Sequence, residues 1–149
     1  MKDFDGNNLL HLISKTPNKL KNSKLLDYFD EKFFQQLNNK EETPLHILSQ
    51  RKQIDENLIK LFVEKKSNLN QTTCNGDTPL HLFCSNPKVN SRILESFISM
   101  KSDPNISNFQ KKSPFRILCV KNCFLNLFFI YFKYFLIFLF YIFKKKKGK

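Results

Sequence analysis

Two stretches decide the fold: Thr43-Pro44-Leu45-His46-Ile47-Leu48 and, 35 residues further on, Thr78-Pro79-Leu80-His81-Leu82-Phe83. Blurred copies stand at Asn8-Leu9-Leu10-His11 and Ser113-Pro114-Phe115-Arg116, again in steps of 35. Self-similarity at such a spacing marks stacked supersecondary units, none able to bury its apolar face alone, rather than one undivided core.

The second copy shows the layout. Thr43 is a good N-cap, and Pro44 fits the first helical position, where a missing N–H costs nothing. Leu45, Ile47 and Leu48 then predict a short apolar helix ending near Gln50. After a turn, a second helix is predicted over 55–64, with acids in its first turn and Lys65 and Lys66 just past its end, as the helix dipole prefers. Its apolar stripe is Leu58, Ile59, Phe62 and Val63. The third copy repeats the plan, with a turn at Asn75-Gly76-Asp77 and a stripe of Ile93, Leu94, Phe97 and Ile98.

At these residues the chain resembles the ankyrin-repeat family. The resemblance rests on the two Thr-Pro-Leu-His motifs, the Asn75-Gly76 turn and the Asp103-Pro104-Asn105 repeat end. It implies an all-α fold: a short solenoid of paired antiparallel helices joined by hairpin turns over residues 3–122, with units beginning near 5, 40, 75 and 110, the last incomplete. The unit is longer than the usual 33 residues. The family's small residue after the motif is Ile13, Leu48, Phe83 or Leu118 here, which implies wider helix packing. Lys66 and Lys101 stand where a glycine usually follows the second helix, which weakens the left-handed cap expected there.

The histidines His11, His46 and His81 fall at one repeat position. Stacked units would space them on the order of 10 Å apart, too far to share a metal with bonds of about 2 Å. The resemblance gives them a structural role instead, bonding polar groups at the start of each first helix. The cysteines Cys74, Cys84, Cys119 and Cys123 show neither paired CxxC spacing nor a disulfide framework. Cys84 and Cys119 share a repeat position and read as small packing residues. No apolar leader follows Met1, so a reducing, cytosolic compartment is expected for the repeats.

Function is narrowed mainly by exclusion. The formal charge is +12, but Lys144 to Lys147 and Lys149 supply five of those charges and the rest are spread along the chain. The three arginines form no motif, which argues against specific nucleic-acid binding. No nucleophile–base constellation appears, and the three glycines build no phosphate-cradling loop, so neither catalysis nor a cofactor is expected. What remains is protein binding by an extended surface. The resemblance places that surface on the hairpin tips: Asn39, Glu41 and Glu42, then Asn75 and Asp77, then Gln110, Lys111 and Lys112.

Residues 123–143 are different material, with only Asn126 and Lys133 interrupting Phe, Leu, Ile and Tyr. Three readings compete. A helix apolar all round does not suit the solvent-facing second helix of a fourth repeat. A membrane span fits the length, since about 20 apolar residues cross roughly 30 Å of hydrocarbon. The apolar residues outweigh the roughly +3 kcal/mol of one lysine. The third reading is a reading frame running into A/T-rich non-coding sequence, because the residues of 124–147 all have codons of A and T alone.

The favoured expectation is a non-catalytic interaction scaffold with cytosolic repeats, anchored in a lipid bilayer by a transmembrane helix over 123–143 and ending in a basic tail, 144–149. The alternative is a cytoplasmic regulatory fragment of a larger enzyme, with an artefactual apolar end.

Overall fold

The computed structural model describes residues 2–16, 23–54 and 56–122. Among them the regular structure is helical, with no strand. The order is α1 (Leu9–Lys15), a 3-10 helix (Ser23–Tyr28), α2 (Glu31–Gln35), α3 (Pro44–Ser49), α4 (Glu56–Glu64), α5 (Pro79–Cys84), α6 (Ser91–Ser99) and α7 (Pro114–Asn122). Residues 1–117 form one compact unit and 118–149 a second, of which the described part, 118–122, is the end of α7. Among the described residues no helix is long and apolar enough to cross a membrane. The run 123–143 expected to span one lies outside the described residues, as does the tail 144–149.

The motif residues start their helices by a shared device. Asn8, Thr43 and Thr78 are extended N-caps of α1, α3 and α5, and each side chain accepts from the backbone N–H three residues on. The histidine at that third position returns a bond from its ring to the backbone N–H of the cap. This is a capping box in which His takes the place of the usual Glu or Gln. Two otherwise orphaned N–H groups are satisfied at each helix start, and losing such a cap costs about 1 kcal/mol.

α3 packs between α1 and α5, and every residue of α3 is buried. The longer α4 and α6 pack on each other and bury one stripe apiece: Leu58, Ile59 and Phe62, and Ile93, Leu94 and Phe97. The Ser96 hydroxyl joins the two by donating to a Glu56 carboxylate oxygen over 3.0 Å. Phe83 of α5 meets Phe97 of α6 with ring centroids 5.4 Å apart. The bulky residues that follow the motif, Ile13, Leu48 and Phe83, are all buried.

The caps of α4 and α6 form at the lysines expected to weaken them. Lys66 and Lys101 themselves take the left-handed conformation, with φ of 60° and 72°. The closing bonds both form: Ser67 N–H to Phe62 O at 2.9 Å and Lys66 N–H to Val63 O at 2.9 Å, matched by Ser102 to Phe97 at 3.0 Å and Lys101 to Ile98 at 3.1 Å. This is the full Schellman pattern, made without glycine. A lysine there is strained but not excluded, because the cap is exposed.

The first unit departs from the plan. At the register of α4 and α6 it carries the 3-10 helix, followed by α2. Phe34 of α2 is fully buried, edge-on to Phe62 at 5.1 Å and 82°. α2 rests on α3, and Asn8 Nδ2 donates to Phe33 O and Gln36 Oε1, both at 3.0 Å.

Candidate functional site

Four turns, at 3–7, 38–42, 73–77 and 108–112, precede α1, α3, α5 and α7 and share one construction. Each opens on an acceptor side chain. Asp3 Oδ1 accepts from the N–H groups of Asp5 and Asn7 at 3.0 and 2.8 Å, and Asn38 Oδ1 from Lys40 and Glu42 at 2.9 Å. Thr73 Oγ1 accepts from Asn75 and Asp77 at 3.3 Å, and Asn108 Oδ1 from Gln110 and Lys112 at 3.1 and 3.0 Å. In every turn the first N–H also reaches the fifth carbonyl at 3.0 Å. The fourth residue is left-handed: Gly6 at φ 76°, Glu41 at 57°, Gly76 at 77° and Lys111 at 57°.

Successive turns are joined to one another. Asn39 N–H donates to Asp5 O at 2.9 Å, Cys74 N–H to Lys40 O at 3.1 Å and Phe109 N–H to Asn75 O at 3.1 Å. Side chains add rungs, with Asn38 Nδ2 to Asn7 Oδ1 at 3.0 Å and Asn108 Nδ2 to Asp77 Oδ1 at 2.7 Å. The histidines tie this edge to the helices. The ring Nε2 of His11 meets Glu42 O at 2.9 Å, that of His46 meets Gln71 O at 3.0 Å and Asp77 O at 3.1 Å, and that of His81 meets Lys112 O at 3.0 Å. At His46 and His81 Nδ1 already accepts from the cap N–H and faces a threonine hydroxyl that can donate, so the network assigns a neutral ring with its proton on Nε2. At His11 Nδ1 also lies 2.7 Å from the acceptor Asn8 Oδ1. Burial lowers the pKa of all three rings, against the pull of the carbonyls they face, and takes His46 down to about 4. Among the described residues no cluster of three or more His, Cys, Asp or Glu side chains could hold a metal ion.

All eight residues expected to bind a partner lie in the last three of these turns, but they are not equivalent. Asn39, Glu41, Asn75, Gln110, Lys111 and Lys112 are exposed. Glu42 and Asp77 are half-buried and serve the edge itself: Glu42 accepts from Asn38 Nδ2 at 3.0 Å and Gln50 Nε2 at 2.7 Å, and Asp77 from Asn108 Nδ2. Asn39 is partly engaged, donating from Nδ2 to Phe4 O at 3.0 Å.

Two sets of residues escaped sequence reasoning. Asp3, Asn38, Thr73 and Asn108 organise the turns; they recur every 35 residues and are all turn-forming types, a signal present in the sequence. Phe4 and Phe109 occupy one register position, at the turn tips, and are 105% and 79% exposed. Such large exposed aromatics are a mark of recognition surfaces. The chain matches no family model, and no curated protein matches it significantly.

Proposed function

We propose that the chain is a short ankyrin-type solenoid that holds another protein along its turn edge and performs no chemistry of its own. The observation that carries this reading is the ladder of four turns. Backbone bonds and buried histidines fix their spacing, so exposed side chains stand in a preset row with little ordering entropy left to lose on binding. Glu41, Gln110, Lys111 and Lys112 supply charge and hydrogen bonding, and Phe4 and Phe109 supply apolar anchors. Glu42 and Asp77 support the row rather than touch the partner.

A photo-crosslinking residue placed at Glu41, Gln110 or Phe109 in cells is expected to trap one common partner, while the same residue at Lys60 on the outer face of α4 traps none. Crosslinking of that partner from Lys60 and not from the turns overturns the assignment.

The apolar run 123–143 makes this scaffold a membrane-anchored one, with the repeats in the cytosol. Alkaline-carbonate extraction of the endogenous protein checks it: an anchored chain stays in the membrane pellet, and release to the supernatant removes the anchor from the proposal.

A further inference from the structure

At the ends of the helices away from the turn edge, the α3–α4 and α5–α6 connections border an open cavity of about 240 Å³. Arg51, Lys52 and Gln53 line it from the first connection, Lys88 and Asn90 from the second, and Phe83 backs it from α5. The two connections are tied by Asn86 Nδ2, which donates to the carbonyl of Arg51.

Among the described residues the charge here is unpaired; Asp55 of the first connection lies outside them. Arg51 Nη1 is buried without a hydrogen-bond partner. Among the described residues no carboxylate stands within ion-pair distance of Arg51, Lys52 or Lys88; the ion pairs present involve Lys32, Lys60, Lys65 and Lys66. α6, nine residues long, starts beside the cavity at Ser91 behind its cap Asn90, which adds the partial positive charge of a helix N-terminus. Nη1 itself is closed to solvent, so it is the remaining guanidinium donors of the half-buried Arg51 that an oxyanion in the cleft can meet. The planar guanidinium offers two parallel donors to two phosphate oxygens, and lysines meet the remaining charge. The arrangement is particular to this pair of units, since the register position of Arg51 is Thr16 before it and Asn86 after it.

We propose that this cavity binds a small phosphate-bearing anion, held by Arg51, Lys52 and Lys88 between the two inter-helix connections. The site is independent of the partner assignment at the turn edge, on the opposite ends of the same helices.

Calorimetric titration of the full chain with inorganic phosphate and with glycerol phosphate, at matched ionic strength, tests the proposal. Saturable one-to-one binding is expected, weakened about tenfold or more by Arg51→Gln and by Lys88→Gln, with Lys60→Gln unchanged. Lys88 is exposed, so its replacement keeps the test valid even if Arg51→Gln fails to fold. Flotation with phosphatidic-acid vesicles presents the same group on a lipid. Uptake that depends on Lys88 names the headgroup as the source, and glycerol phosphate binding alone names a soluble one. Binding to neither, or equal weakening by Lys60→Gln, overturns the site.

Discussion

At the turn edge two of the four left-handed positions are glycine, Gly6 and Gly76, whereas at the ends of α4 and α6 both are lysine, Lys66 and Lys101. The conformation is the same, so conformation alone does not decide the residue. Crowding does. A Cβ on Gly76 would meet the Phe109 ring and the Phe109 backbone nitrogen at 3.0 Å, and one on Gly6 would meet Asn39 Oδ1 and the Asn39 nitrogen. Where the next turn instead carries the smaller Cys74, the left-handed residue is Glu41. Left-handed strain by itself costs roughly 1–2 kcal/mol and is tolerated, at Glu41 even beside a turn joined by the same backbone bond.

The largest effect that would sharpen this contrast is at the histidines, which bind the turn edge and have no counterpart at the caps. His46→Ala should lower stability by about 3–4 kcal/mol in urea unfolding, since it leaves two carbonyls and the Thr43 N–H without a partner and opens a cavity. A loss below about 1 kcal/mol would mean water replaces the ring.

Acid should act on the same region. With the native pKa of His46 near 4 and an unfolded value of 6.5, only the unfolded chain takes up a proton between those limits. Stability is therefore constant above pH 7, falls as pH drops from 6.5 to 4, and has lost roughly 3 kcal/mol from this residue at the lower end. Hydrogen exchange is expected to accelerate at Asn39, Cys74 and Phe109 before Ser67 and Ser102. Equal acceleration in both regions would break the comparison.

Next in size is Gly76→Ala, with an expected loss of about 2–3 kcal/mol from left-handed strain plus crowding against Phe109. Pairing it with Phe109→Ala separates the two: part of the loss should be recovered, and none recovered would place the crowding in the backbone alone. The smallest effects are gains. Lys66→Gly and Glu41→Gly should each raise stability by about 0.5–1 kcal/mol, as strain relief exceeds the entropy lost with glycine. If Glu41→Gly destabilises, its side chain does more for the turn than its exposure suggests.

The sequence spoke clearly wherever residue chemistry and register coincided. Thr43-Pro44 and Thr78-Pro79 announce helix starts, and the stripes of α4 and α6 give most of their buried faces, although Val63 and Ile98 are only half-buried and Ser96 is buried in their stead. It was silent about α2, because Phe33 has no apolar counterpart 35 residues on, Leu69, the counterpart of Phe34, lies in a turn, and the burial of Phe34 depends on Phe62 and α3. The cap at Lys66 forms despite the strain the sequence pointed to, because two bonds and an open surface offset it. Of the eight turn residues, sequence gave the row but not the division of labour within it, since only the distances separate Glu42 and Asp77 from their exposed neighbours.

The histidine bonds also set a timetable. His11 and His81 each find their acceptor 31 residues later, and no described hydrogen bond joins residues more than 40 apart. Chains with such local contacts fold fast once the pieces exist. On a ribosome adding about 5–20 residues each second, the acceptor arrives roughly 2–6 s after its histidine, far slower than a helix forms. Each unit is thus completed by synthesis itself, one turn at a time, and its exposed apolar face is the interval's hazard.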